Sequence, residues 1–243
     1  MNYRSVRSIA AFGVMVIGIG SVGSKVEAQS ITTLPGGSAL AGASYVNFDE
    51  VALGAGASSA LARNGAGGII GSIGLTFAPD AQVVSGDQSG LYAAPFLSGA
   101  NDLHFENSLG SGPDGTHYLT GGGAGGAATL TFGGANHYVG LLWGSVDTYN
   151  TLTFLDHGSS VGSVTGSQVL ASPNGDQGVN GTVYVNITTS FAFDAITING
   201  TQHAFEFDNV AYAVPEPASL AMSGIAALVV SGVALRRRKA GVA

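Results

Sequence analysis

The chain contains no cysteine, which removes disulfide bridges, thiolate nucleophiles and Cys-ligated zinc from consideration. Positive charge is almost as scarce. Of eight lysines and arginines, Arg4, Arg7 and Lys25 stand near one end and Arg236, Arg237, Arg238 and Lys239 near the other. Arg63 is therefore the single basic residue of the long middle section. Of fifteen acids only Glu27 and Glu216 lie outside that section, which leaves thirteen within it. Nucleic-acid binding needs phosphates neutralised by Lys and Arg, so it is excluded. Salt bridges cannot hold such a domain together either. Its carboxylates must be solvated, hydrogen-bonded to backbone N–H groups or bound to cations. Also missing from the middle section is a capped apolar stripe of 3.6-residue period, which argues against a helical fold.

Two hydrophobic runs are present, one at each end. Ile9–Val22 follows Arg4 and Arg7 and leads to the small-residue site Val26-Glu27-Ala28. This is the layout of a signal peptide over residues 1–28, with Gln29 as the first mature residue. At the other end Val214-Pro215-Glu216-Pro217 introduces eighteen uncharged residues, Ala218–Leu235. A helix of that length spans about 27 Å, close to the roughly 30 Å of a bilayer core. Pro215 and Pro217 keep that helix from starting earlier, and Arg236–Lys239 favours a cytoplasmic end. Within the span Ser219, Ser223, Ala227 and Ser231 recur every four residues, a ridge that lets membrane helices approach closely.

The order of rigid Pro-Glu-Pro, short transmembrane helix and basic stop over residues 214–243 resembles the PEP-CTERM sorting signal, a tail type also called an ice-binding protein C-terminal domain. The resemblance implies that Val214, Pro215, Glu216 and Pro217 with Arg236, Arg237 and Arg238 form the sorting motif. Its implied partner is a membrane-embedded exosortase. It further implies export through the inner membrane of a Gram-negative bacterium and transient anchoring by the C-terminal helix. The protein would then reside at the cell surface or in the exopolysaccharide matrix. A tail anchor that is never cleaved is the competing reading.

Residues 29–213 suit one domain on length. Short β-branched and aromatic runs punctuated by glycine read as strands at Ser44–Phe48, Ile73–Phe77, Thr116–Thr120, Ala127–Phe132, His137–Trp143, Thr151–Leu155, Val161–Thr165, Thr182–Thr188, Phe191–Ile198 and Ala204–Ala213. Ala52–Arg63 is the one segment that admits a short helix. The expected fold class is all-β, a single β-sandwich ectodomain of jelly-roll type. Gly121–Gly126 formally contains G-x-G-x-x-G, and Gly158-Ser159-Ser160-Val161-Gly162 formally contains G-x-S-x-G. Both lie between strand patterns with no helix following, so they read as inter-strand loops and neither a dinucleotide site nor a seryl hydrolase is signalled.

Candidate sites rest on the acids. Phe48-Asp49-Glu50 ends the first strong strand, and Phe207-Asp208-Asn209 lies within the last. Phe205 and Phe207 share one face of that last strand while Val210 and Tyr212 share the other. The alternation thus slips at Asp208-Asn209, and a β-bulge is expected there. Glu206-Phe207-Asp208-Asn209-Val210 is similar to the closing strand of galactose-binding-like jelly rolls. That resemblance implies a structural calcium as cofactor, shared by Asp49 or Glu50 with Asp208 and Asn209. Two solvated strand ends are the alternative. Asp147 and Asn150 bracket a turn of the kind Asx side chains cap. Trp143, the only tryptophan, belongs either to the core or to a sugar-stacking surface. His104, His117, His137, His157 and His203 lack helical zinc spacing. Paired acids alone do not establish glycoside hydrolysis, so no catalytic residue is assigned and the expected function is non-enzymatic: an exported surface or extracellular-matrix protein associated with exopolysaccharide. A jelly-roll carbohydrate-binding module is the alternative. Ice binding and a glycoside-active enzyme rank below it, since Thr129/Thr131 and Thr151/Thr153 form only two threonine pairs with no fixed repeat.

Overall fold

Period-two alternation carries through to the computed structural model, which describes residues 30–105, 110–123 and 126–213. The signal peptide, the sorting motif from Val214 onward, the span at 218–235 and the basic tail expected from the sequence lie outside them. Among the described residues no helix is long and apolar enough to cross a membrane. The strands are β1 (Ile31–Pro35), β2 (Ser44–Val46), β3 (Ser59–Arg63), β4 (Ile69–Phe77), β5 (Gln82–Ser85), β6 (Phe96–Leu97), β7 (Gly112–Pro113), β8 (His117–Gly121), β9 (Ala127–Gly144), β10 (Asn150–Asp156), β11 (Ser159–Thr165), β12 (Val183–Gly200) and β13 (Phe205–Ala213). One helical turn, α1 (Gly166–Val169), follows β11.

A large antiparallel sheet runs β11-β10-β12-β9-β4-β3-β2-β13-β8-β5, with β1 added along β12 and with β6 and β7 paired separately. β9 organises it. Its first half pairs with β4, from Thr131 opposite Gly74 to Ala128 opposite Phe77. Its second half pairs with β13, from Gly144 opposite Glu206 to Tyr138 opposite Ala213. The sheet therefore folds back on itself, as in a β-sandwich, around one core that includes Leu130, Phe132, Leu141, Phe193, Ile196 and Phe207. Trp143 is in that core: it is fully buried, stacks on Phe205 at 4.1 Å between ring centroids, and its indole N–H donates to Asn150 Oδ1 at 3.2 Å.

Three expectations need correction. Ala127–Phe132 and His137–Trp143 are one strand, and so are Thr182–Thr188 and Phe191–Ile198 apart from their first residue. Gly133-Gly134 looks like a turn, but β9 and β12 both pass this level by shifting register, between Thr188 and Phe193 and again before Ala195. Side chains satisfy the bent backbone: Asn136 donates to the Gly134 carbonyl at 2.7 Å, and Thr189 to that of Phe191. Bulged strands of this kind keep pairing through glycine. Ala52–Arg63 forms no helix. Its second half is β3, which buries Ala60 and Ala62 and exposes Ser59 and Leu61, a period of two. Gly121–Gly126 falls where β8 ends and β9 begins, and of Gly158–Gly162 only Gly158 belongs to the β10–β11 hairpin turn, Ser159–Gly162 being the start of β11; neither runs directly into a helix.

Candidate functional site

The last strand is flanked by the ends of two others. β2 pairs with β13 through Val46 opposite Val210, so the residues after Val46 run beside those before Val210. Further along the same edge, the one opposite β9, β8 pairs with β13 through Leu119 opposite Phe207, so the residues before β8 approach the same point. Asp49 comes from the first flank and Asp114 from the second. The bulge expected at Asp208-Asn209 is present: the register against β9 slips by one residue between Asp208 and Ala211. Asn209 takes a left-handed φ of 52°, a conformation Asn tolerates better than most residues.

This geometry buries like charge. Asp208 and Asn209 are fully buried, and Asp114 is 2% exposed. Neither carboxylate oxygen of Asp208 has a hydrogen-bond partner, and the same holds for Asp114 Oδ2, Asp49 Oδ1 and both side-chain polar atoms of Asn209. The remaining oxygens are fixed. Asp49 Oδ2 accepts from Asn47 at 2.8 Å, and Asp114 Oδ1 accepts from the Thr116 backbone N–H at 2.9 Å and its hydroxyl at 2.6 Å. Burial pushes the Asp208 carboxyl well above the usual carboxylate range, and the neighbouring Asp114 and Asp49 push it the same way. Asp49 is also raised, chiefly by burial, with Asp114 adding to it and a Thr116 hydrogen bond opposing it. Buried carboxyl oxygens without donors are an unfavourable arrangement that protonation or a hard cation relieves, and an all-oxygen set suits calcium over transition metals.

Of the residues proposed from the sequence, Asp49 lies near enough to Asp208 to raise its carboxyl, though with Asp114 the three do not close to the 4.8 Å mutual spacing reached by Asp156, His157 and Asp194, and Asn209 adjoins Asp208 in the bulge. Glu50 is not part of the cluster. Its side chain is 67% exposed and lies 3.3 Å from Arg63. Asp114 is the residue that sequence reasoning missed, since Gly112-Pro113-Asp114-Gly115 reads simply as a turn.

Two other constellations are visible. Asp156, His157 and Asp194 bring ligand atoms within 4.8 Å of one another. They already contact one another at the β10–β11 hairpin, where His157 lies 3.2 Å from Asp194 and is 90% exposed, so water solvates the group. The Asx turn is as expected, with Asn150 Oδ1 accepting the Asp147 backbone N–H at 2.8 Å.

Residues 213–239 match the PEP-CTERM protein-sorting motif. The chain therefore carries a C-terminal sorting signal, which implies an exported protein targeted to an exosortase. No curated protein matches the chain. Among solved structures it is similar to an exo-β-1,3-galactanase from Phanerochaete chrysosporium crystallised with β-1,3-galactotriose, at 16% identity and a TM-score of 0.35. That alignment covers 72% of this chain and 30% of the other, and a likeness of this depth carries no argument.

Proposed function

We propose that this is a non-enzymatic protein of the cell surface or exopolysaccharide matrix. An exosortase removes its tail near Pro215-Glu216-Pro217, and its jelly-roll-type ectodomain is held together by calcium at Asp49, Asp114 and Asp208. The sorting motif at 213–239 is the observation that carries the reading. Mass spectrometry of surface material tests it. The expected mature chain begins near Gln29 and ends close to Pro217; recovery of intact Arg236–Lys239 tails would instead identify a permanent anchor.

One observation favours a second reading, ice binding. One member of each threonine pair of the sequence, Thr129 and Thr153, belongs to a larger in-register row on the outward face. Thr76 of β4 lies opposite Thr129 of β9, Thr129 opposite Thr197 of β12, Thr197 opposite Thr153 of β10, and Thr153 opposite Ser163 of β11. Neighbouring strands in such a row stand about 4.8 Å apart, and the Thr129 and Thr197 hydroxyls within it lie 3.0 Å from each other. Thermal hysteresis of the purified protein, lost in Thr129→Lys, would establish this reading. A freezing point indistinguishable from that of a control protein at equal concentration would remove it.

A further inference from the structure

Sheet register creates a second polar row at the other side of β13. Glu206 lies opposite Thr120 of β8, and Thr120 opposite Gln82 of β5. Two adjoining cavities open over these three residues: one of about 240 Å3 above Glu206, and one of about 140 Å3 above Thr120 and Gln82. Leu91, Tyr92 and His203 wall both, so the two form one groove. Jointly they exceed the roughly 300 Å3 at which small-molecule sites begin.

The groove is built. Glu206 is 2% exposed. Its Oε1 accepts the Ala93 N–H at 2.8 Å, and its Oε2 accepts the Ser145 hydroxyl. Burial pushes its carboxyl up to about 7 against those two bonds. Tyr149 is held by donation to the His203 carbonyl at 2.9 Å. Asp147 lies so close to Gly175 that a Cβ there would stand 2.8 Å from its carboxylate oxygens, and the His203 ring would stand 2.9 Å from a Cβ on Gly123. Both glycines also have positive φ, so backbone conformation and close approach each demand them. Thr120 supplies an independent sign of a ligand: it is 2% exposed, lines the smaller cavity, and its hydroxyl makes no hydrogen bond within the protein. Buried hydroxyls are seldom left that way.

The lining fits sugar chemistry. Asp147 and Glu206 offer acceptors to sugar hydroxyls, Gln82 and Asn174 offer amides that both donate and accept, and Tyr92 and Tyr149 offer ring faces to the apolar side of a pyranose. None of the described residues lining either cavity is Lys or Arg, so a uronate or sulfated chain would meet carboxylates without a counter-charge. We propose that this groove binds a neutral oligosaccharide, with consecutive sugar units in the two cavities and Tyr92 between them. The proposal deepens the matrix association above and rests on it only for the source of the glycan; the processing and calcium tests stand without it.

Calorimetric titration of the exported protein with neutral gluco-, galacto- and manno-oligosaccharides tests it, with oligouronates and chitosan oligomers as charged comparators. At least one neutral series is expected to bind, its disaccharide at least tenfold tighter than its monosaccharide. Thr120→Val, which keeps side-chain shape while removing the hydroxyl, is expected to weaken that binding at least tenfold, and Ser72→Ala, exposed on β4 and outside both cavities, to leave it unchanged. Gln82→Ala replaces Thr120→Val should the latter fail to fold, with the same expectation. Absence of binding to every neutral series, binding confined to charged oligomers, or full affinity in the groove variant would overturn the proposal.

Discussion

Calcium at a hundredfold excess over its Kd is expected to raise the melting temperature of the ectodomain by roughly 5–10 °C. The linkage term at that excess is about 2.7 kcal/mol, and a domain of this size shifts roughly 2–4 °C per kcal/mol. The stabilisation arises because unpartnered oxygens of Asp49, Asp114 and Asp208 are buried together, and a shared cation converts their mutual repulsion into a tie between β13, the residues after β2 and those before β8. Sodium chloride at matched ionic strength is the control, since screening alone stabilises an acidic domain. Asp208→Asn should invert the order of stability. In chelator it removes the pressure to bury a charge and is expected to melt at or above wild type; in calcium it loses the ligand and should melt several degrees below. Parallel responses of both proteins to calcium would show that the stabilisation arises elsewhere.

The second large effect belongs to Trp143. Trp143→Ala is expected to cost about 3–5 kcal/mol, the usual range for emptying a buried aromatic site. That is a large part of the 5–15 kcal/mol by which domains are typically stable. The indole stacks on Phe205 with an interplanar angle of 18°, so its loss opens space beside the start of β13. Trp143→Phe keeps most of that contact and gives up the bond to Asn150, for which a loss of roughly 1–2 kcal/mol is expected. Asn150 itself stays in place, since it also accepts from Asp147 and donates to the Ala204 carbonyl at 2.9 Å. Urea denaturation followed by circular dichroism checks the order wild type, Phe, Ala. An alanine variant within about 1 kcal/mol of wild type would contradict the core assignment.

Local signals and long-range pairing account for what could and could not be read in the sequence. The bulge at Asp208-Asn209 was legible because a phase slip in alternation is written into the residues themselves. Asp49 and Asp208 were legible as a pair only through resemblance to a closing strand, and the structure joins them because β2 is the neighbour of β13. Asp114 was not legible: it sits 94 positions before Asp208, in the short link between β7 and β8, and nothing local announces that β8 follows β2 along the same edge of β13. Glu50 adjoins Asp49 in the sequence, but the two are the central residues of the turn closed by the Val51 N–H on the Phe48 carbonyl, which leaves Glu50 exposed beside Arg63. The threonine row was hidden for the same reason as Asp114. Four of its strands contribute one Thr each, and only the pairing register aligns them. Glycine misled at Gly133-Gly134, where the bend of a continuous strand has the composition of a turn.

Calcium titration calorimetry on the exported protein and three variants tests the account most directly. One calcium per chain is expected for wild type, no detectable binding for Asp208→Ala or Asp114→Ala, and unaltered stoichiometry for Glu50→Ala. Absence of heat in the wild type at millimolar calcium, or binding that survives loss of Asp114 and vanishes with Glu50, would contradict it.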